Sequence, residues 1–444
     1  MTGVTIIGGG IAGLSAAWHL SNALPDLEIT VHESSAQWGG KLHSSEFGEF
    51  GRIDEGADAF LARVPEGVEL CRELGIDGSL TSPQTSRAYV WSRGALRPIP
   101  SGVVLGVPTS IRSLWRSGVL PASGVFRAAM EPIVARQAAK VAATDSIGQA
   151  ITARFGHHVT ERLVDPLLGG INAGNADQLS LRASAPQLLE SAASNRSMMR
   201  TLRGRQPVEG PVFFSPAGGM AVIIDALIDQ LATRGVDLRV ESDGRVEGGP
   251  TIIATPAAAA AKLLADCAPI ASAALANIQH VSVALITIAV PKEAIRHPLD
   301  GSGFLVPRVA GTLLTACSWS SMKWHHVGDR SGSDMVMRLS AGRLGDERVN
   351  DLDDDQLVQA LMAELRPMIG MTGDPSQVRV SRWPNGFPQY LPGHLDRIDE
   401  LERDLAHQAP HVQLAGAAYR GVGVPACIRS GRQAAGKTLE FLAR

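Results

Sequence analysis

The chain is short of cysteine. Only Cys71, Cys267, Cys317 and Cys427 occur in 444 residues. None sits in C-x-x-C spacing or beside a patterned histidine, so neither a disulfide framework nor a zinc site is expected. Reduced, buried thiols are, in a cytoplasmic setting. Charge of one sign is also lacking: the net value is −3, with no basic tract interleaved with aromatics. The electrostatic basis for nucleic-acid binding is therefore absent. No apolar run approaches the roughly 20 residues that span a bilayer, and Val281–Val290 is among the longest. The chain opens directly on a strand pattern, so no secretory leader is expected. Internal repeats, nucleophile triads, paired carboxylates and metal-ligand clusters do not stand out. We therefore name no catalytic residue and no metal ligand from sequence.

What is present is a globular composition, 45% apolar and 19% charged, in a chain long enough for two or more domains. The first fourteen residues carry the main signal. Val4-Thr5-Ile6-Ile7 reads as a strand. It runs into Gly8-Gly9-Gly10-Ile11-Ala12-Gly13, and Leu14 to Leu20 reads as a helix. Gly8, Gly10 and Gly13 match G-x-G-x-x-G. The first glycine permits the tight turn, the second lets backbone approach a pyrophosphate, and the third lets helix pack on strand. The helix N-terminus then offers free N–H groups to the phosphates. A second strand, Leu27 to Val31, ends at Glu33-Ser34, and Glu33 lies 20 residues after Gly13. An acid at that place holds ribose hydroxyls. Strand, turn, helix, strand and acid in register point to a dinucleotide site.

Trp38-Gly39-Gly40-Lys41-Leu42 follows, and then Asp54-Glu55-Gly56-Ala57. This succession resembles the extended FAD signature of the amine oxidase-like flavoproteins. Glu33, Ser34, Lys41, Gly56 and Ala57 are carried over as FAD contacts on that basis. Near the other end, Gly421-Val422-Gly423-Val424 precedes a helix expected from about Arg429. In that family such a loop meets the flavin, which makes Val422, Gly423 and Val424 further cofactor positions. The resemblance also implies a cofactor role for Val246, in an unusually short hairpin, and for Trp383.

Three more specific pieces resemble the porphyrinogen oxidases of haem synthesis. They are Gly303 to Pro307, Ala316 to Trp324, and Trp383 to His394. The resemblance runs from Val4 to the last helix. It implies an α/β chain with a discontinuous Rossmann-type FAD-binding domain (1–85, 211–265 and 395–444). An α+β substrate-binding domain (86–100 and 266–394) and an inserted, mainly helical domain (101–210) complete it. It further implies oxygen-using, six-electron oxidation of coproporphyrinogen III to coproporphyrin III, in three flavin cycles that each yield hydrogen peroxide. Protoporphyrinogen IX is the alternative substrate. A flavin amine oxidase is disfavoured, because three tyrosines and ten phenylalanines leave little for an aromatic cage. A carotenoid desaturase and a non-catalytic FAD-binding scaffold are the remaining alternatives.

Two departures matter. Asn172 stands where the family more usually has tyrosine, and Cys427 lies in Pro-Ala-Cys-Ile rather than the context used for covalent flavin attachment. Non-covalent FAD is expected. Arg63, a few residues past the Gly56-Ala57 turn, is the candidate for a substrate propionate, since a guanidinium binds carboxylates through two parallel bonds. Arg196, Arg200, Arg203 and Arg205 form a polar stretch read as a solvated loop, and His394 is read as structural. Val103 to Pro108, with Arg112 and Arg116, is either a buried turn or a peripheral membrane contact. A downstream haem-pathway enzyme is the remaining expected partner.

Overall fold

The computed structural model describes residues 3–204 and 210–444, so Arg205 lies outside the described residues. The chain forms two compact units.

The first unit takes residues up to Ser82, Pro211–Gln279 and Leu395–Arg444. Its centre is a five-stranded parallel sheet, in the order Asp237–Arg239, Ile29–His32, Val4–Ile7, Thr251–Ile253, Val412–Leu414. The strands are short and β-branched. Val4, Ile6, Ile29, Val31 and Ile252 are buried with residues of the helices Ile11–Ala23, Ala221–Thr233 and Val424–Leu442, as a parallel sheet covered by helices requires. The apolar spacing of Val68, Leu70, Cys71 and Leu74 predicts a helix over 61–80, and the helix is confined to Pro65–Glu73. Both of its flanks are taken by pairing: Phe60–Leu61 and Leu80–Thr81 add to the strand Phe213–Pro216. The final helix begins at Val424 rather than near Arg429, because Pro425 enters its first turn, where a missing N–H costs nothing. Between Arg239 and Thr251 the described backbone forms no strand, so Val246 sits in a loop and not in a hairpin.

The second unit takes Pro83–Gly210 and His280–His394. It contains a seven-stranded sheet, in the order Gln377–Pro388, His280–Pro291, Asp334–Ala341, Leu314–Ser318, Gly303–Leu305, Tyr89–Ser92, Ala95–Pro98. Alternation along the long strands buries Ile286, Ile288, Met337 and Leu339 with Leu357, Leu361 and Leu365 of the helix Asp354–Ile369. The hairpin at Gly94 turns through Arg93 and Gly94, both with positive φ, as a two-residue turn between twisted strands demands. A second core belongs to the helical segment: Leu114, Ile147, Ile151, Phe155 and Leu163 are fully buried there. Ser146 caps the helix Ile147–Phe155 by accepting from the Gln149 N–H, and Gly156 closes it. Val103 to Pro108 is a hairpin whose Gly106, Val107 and Pro108 are buried. A side chain at Gly106 would meet Val164 Cα at 2.7 Å. Val103, Val104 and Leu105 are half-buried, so the segment is packed as a turn.

Candidate nucleotide-binding site

The glycine turn leaves the centre of the parallel sheet. Gly8 has φ +112°, open to glycine alone without strain, and its N–H donates to the His32 carbonyl at 2.7 Å. A Cβ on Gly13 would lie 2.0 Å from the Gly8 carbonyl oxygen, so the helix could not approach the strand. A Cβ on Gly10 would meet nothing within 4 Å. Gly10 is the N-cap of the helix Ile11–Ala23, and no side chain caps or acidifies its first turn. The three glycines are required by a turn, an open cradle and a close packing, in that order. Ile11 and Ala12 form the first, buried helical residues.

Glu33 closes the turn from the neighbouring strand. Its Oε2 accepts from the Gly9 N–H at 2.8 Å, while Oε1 accepts from the Ser35 N–H at 2.9 Å and Oγ at 2.8 Å. Ser34 beside it is exposed. The Gly9 carbonyl accepts from the Gly39 N–H at 2.9 Å. A Cβ on Gly9 would fall 2.3 Å from the Trp38 ring. Sequence reasoning found Gly9 only as part of a motif. Its tight seat on Trp38 comes from a contact across 29 positions, which local pattern does not reveal.

The second glycine pair leads to Lys41. The Lys41 carbonyl accepts from the Ala57 N–H at 3.2 Å, and a Cβ on Gly56 would lie 2.1 Å from that carbonyl oxygen. Asp54 is buried and accepts from Ser44 Oγ at 2.6 Å and the Met220 N–H at 2.9 Å. It fastens the turn and was not singled out from sequence. Burial lowers the Lys41 pKa, against the opposing pull of the Cys427 sulfur. Burial pushes the Cys427 thiol up to about 11. Cys427 lies in the first turn of the closing helix, whose N-cap is Gly423 and whose first residue is Val424. Val422 precedes them in the loop. This helix too has no side-chain cap. A Cβ on Gly431 would sit 2.1 Å from the Ala12 carbonyl oxygen, which sets how closely the first and last helices pack.

The turn at Gly8–Gly13, Glu33, Lys41, Gly56, Ala57 and the loop at Val422–Val424 therefore all belong to the first unit. An open glycine cradle at an uncapped helix N-terminus, with a carboxylate fixed beside it, fits a dinucleotide. Val246 is half-buried and packs against the cluster that contains Ile253, Ala257 and Leu264 in the same unit. Trp383 belongs to the second unit, where it packs with Val281, Val283 and Leu344. Arg63 is exposed in the turn before the helix Pro65–Glu73. Asn172 is buried, and its Nδ2 donates to the Leu168 carbonyl at 2.8 Å, a backbone-binding role. His394 is buried and stacks on Tyr390, with centroids 4.1 Å apart.

The family model for flavin containing amine oxidoreductases matches residues 11–439. The chain belongs to that family. It is an FAD-dependent oxidoreductase. Within the family it is 35% identical to the coproporphyrinogen III oxidase of Mycobacterium bovis, over 98% of this chain and 97% of that one. It is 31% identical to the Bacillus subtilis enzyme of the same name, over 99% and 98%. A crystal structure from Exiguobacterium sp. 255-15, assigned as a protoporphyrinogen oxidase, superposes with a TM-score of 0.87 at 30% identity and covers 99% of both chains.

Proposed function

We propose that the protein oxidises coproporphyrinogen III to coproporphyrin III, with molecular oxygen as acceptor and FAD held without a covalent bond. The observation that carries this reading is full-length similarity to bacterial coproporphyrinogen III oxidases at 31% and 35% identity. The flavin, when bound, supplies two-electron oxidation of a bridge carbon; the chain supplies position and electrostatics. Gly8 to Gly13 and the first helix N-terminus hold the pyrophosphate, and Glu33 faces the ribose. Lys41, Gly56, Ala57 and Val422 to Val424 line the rest of the cofactor, with Val246 and Trp383 as outlying contacts. A thiol raised to about 11 is protonated at neutral pH and a poor nucleophile, which fits non-covalent binding at Cys427. No catalytic base is assigned, since the pyrrole N–H protons can leave to water. Arg63 takes a substrate propionate.

Steady-state kinetics with both porphyrinogens test the reading. Coproporphyrinogen III has four propionates, and protoporphyrinogen IX has vinyl groups in place of two. A hydrogen bond between charged groups is worth roughly 1.5–3 kcal/mol, so kcat/KM should favour coproporphyrinogen by about tenfold or more. Arg63→Ala should narrow that ratio, and peroxide should form at about one per two electrons. Equal or greater efficiency with protoporphyrinogen IX would overturn the choice and favour the second reading, to which the Exiguobacterium similarity points. The proposal extends to two partners. One is a downstream haem-pathway enzyme that takes the porphyrin. The other is a membrane surface touched by the exposed Trp115, Phe126 and Ile133, which co-sedimentation with anionic liposomes checks.

A further inference from the structure

In the helical part of the second unit, His157, His158 and Glu161 bring one donor atom each to a single place. The three atoms lie within 4.8 Å of one another. The spacings are i, i+3 and i, i+4, along a helix that continues from His157–Val159 into the π-helix Thr160–Gly169. Those spacings set Glu161 beside each imidazole in turn. The two imidazole centroids are 4.1 Å apart. His157 is exposed while His158 and Glu161 are half-buried, so the group is held from behind and open in front.

His158 is fixed by its neighbours. A Cβ on Gly124 would approach its Cδ2 to 2.9 Å, so the helix Ala122–Ala129 packs directly on the ring. Nδ1 of His158 is buried without a hydrogen-bond partner. Among the described residues this ring nitrogen has no partner, and a bound water or ion would satisfy it. Two guanidiniums nearby are committed to other acceptors. Arg127 donates to the carbonyls of Ala153 and Arg154 at 2.8 Å each, and Arg162 donates to Ser92 Oγ at 3.2 Å.

We infer that His157, His158 and Glu161 form a binding site for one divalent transition-metal ion of the zinc class. Two imidazoles and one carboxylate suit zinc, copper or nickel, whereas calcium and magnesium call for oxygen donors. Three protein ligands leave a fourth tetrahedral position for water. All three come from five consecutive residues, so the ion joins the short helix His157–Val159 to the first turn of the π-helix.

The test is equilibrium dialysis of tag-free, FAD-loaded protein against zinc, with calcium as a parallel arm. About one zinc per chain should bind, and no calcium. His158→Ala and Glu161→Gln should each weaken zinc binding by at least about tenfold, since even outer-shell losses reach that size. His325→Ala, at a histidine paired with Asp329 elsewhere, should leave it unchanged. Bound flavin and far-UV circular dichroism verify that each variant is folded, and the conservative Glu161→Gln guards against collapse at His158. Absence of zinc binding, equal uptake by both site variants, or loss in His325→Ala would each overturn the site.

Discussion

Gly10 and Gly13 lie three residues apart, yet a methyl group meets opposite fates at the two. At Gly13 it would be forced to 2.0 Å from the Gly8 carbonyl oxygen, a backbone atom that cannot step aside. At Gly10 it enters open space, on a backbone of φ −76° that alanine adopts freely. Gly13→Ala should therefore destabilise the apoprotein by about 1–3 kcal/mol. Gly10→Ala should leave apoprotein stability within about 0.5 kcal/mol and weaken FAD alone. Thermal unfolding of the apoproteins, with FAD titration, separates the two. Matching losses of apoprotein stability would show that Gly10 serves packing and not cofactor approach. At this scale the sequence was informative because each glycine answers to neighbours within a few positions or to one motif. Trp38 beneath Gly9 and Gly431 against Ala12 escaped because their partners are remote in the chain.

At the scale of elements, caps were legible and partners were not. Ser146 and Gly156 bound the helix Ile147–Phe155 as their chemistry suggests. Nothing in that pattern tells what Arg154 does. Its side chain is fully buried, paired with the equally buried Glu131 at 3.0 Å. It also donates to the carbonyls of Ala192, Ser194 and Arg196. Glu131 in turn accepts from the Ser197 hydroxyl at 2.5 Å and the Met198 N–H at 2.8 Å. One ion pair thus ties two helices to the segment 192–198. Arg154→Met leaves the buried Glu131 charge without its cation and three carbonyls without this donor, and should cost about 3–5 kcal/mol. Chemical denaturation measures this, and a cost under about 1 kcal/mol, as for an exposed pair, would refute the role. The π-helix Thr160–Gly169, with Pro166 inside it, was read only as a helical stretch. Its apolar spacing does not distinguish an i+5 from an i+4 ladder.

The whole molecule responds to acid through groups that neither the glycine motif nor any one helix contains. His19 and His32 in the first unit and His158 and His297 in the second all have pKa values lowered from 6.5, chiefly by burial. Below 6.5 the unfolded chain then binds more protons than the native one, so these groups lose stability as pH falls toward their folded values. Asp165 works the other way. Burial raises its pKa above 3.8, against its bond from the Ala176 N–H at 2.9 Å and the attraction of Arg308. Native protein takes up that proton first, so Asp165 contributes stability as pH falls and offsets part of the histidine loss. Four histidines against one carboxyl predict a Tm that declines from pH 6.5 downward. Asp165→Asn keeps an oxygen for the Ala176 N–H but cannot titrate, so its decline should be steeper than that of the parent. Scanning calorimetry of both proteins between pH 7.5 and 5 (about the histidine range) decides it. An equal decline in the two proteins would mean that Asp165 is ionised throughout, held by Arg308 despite its burial.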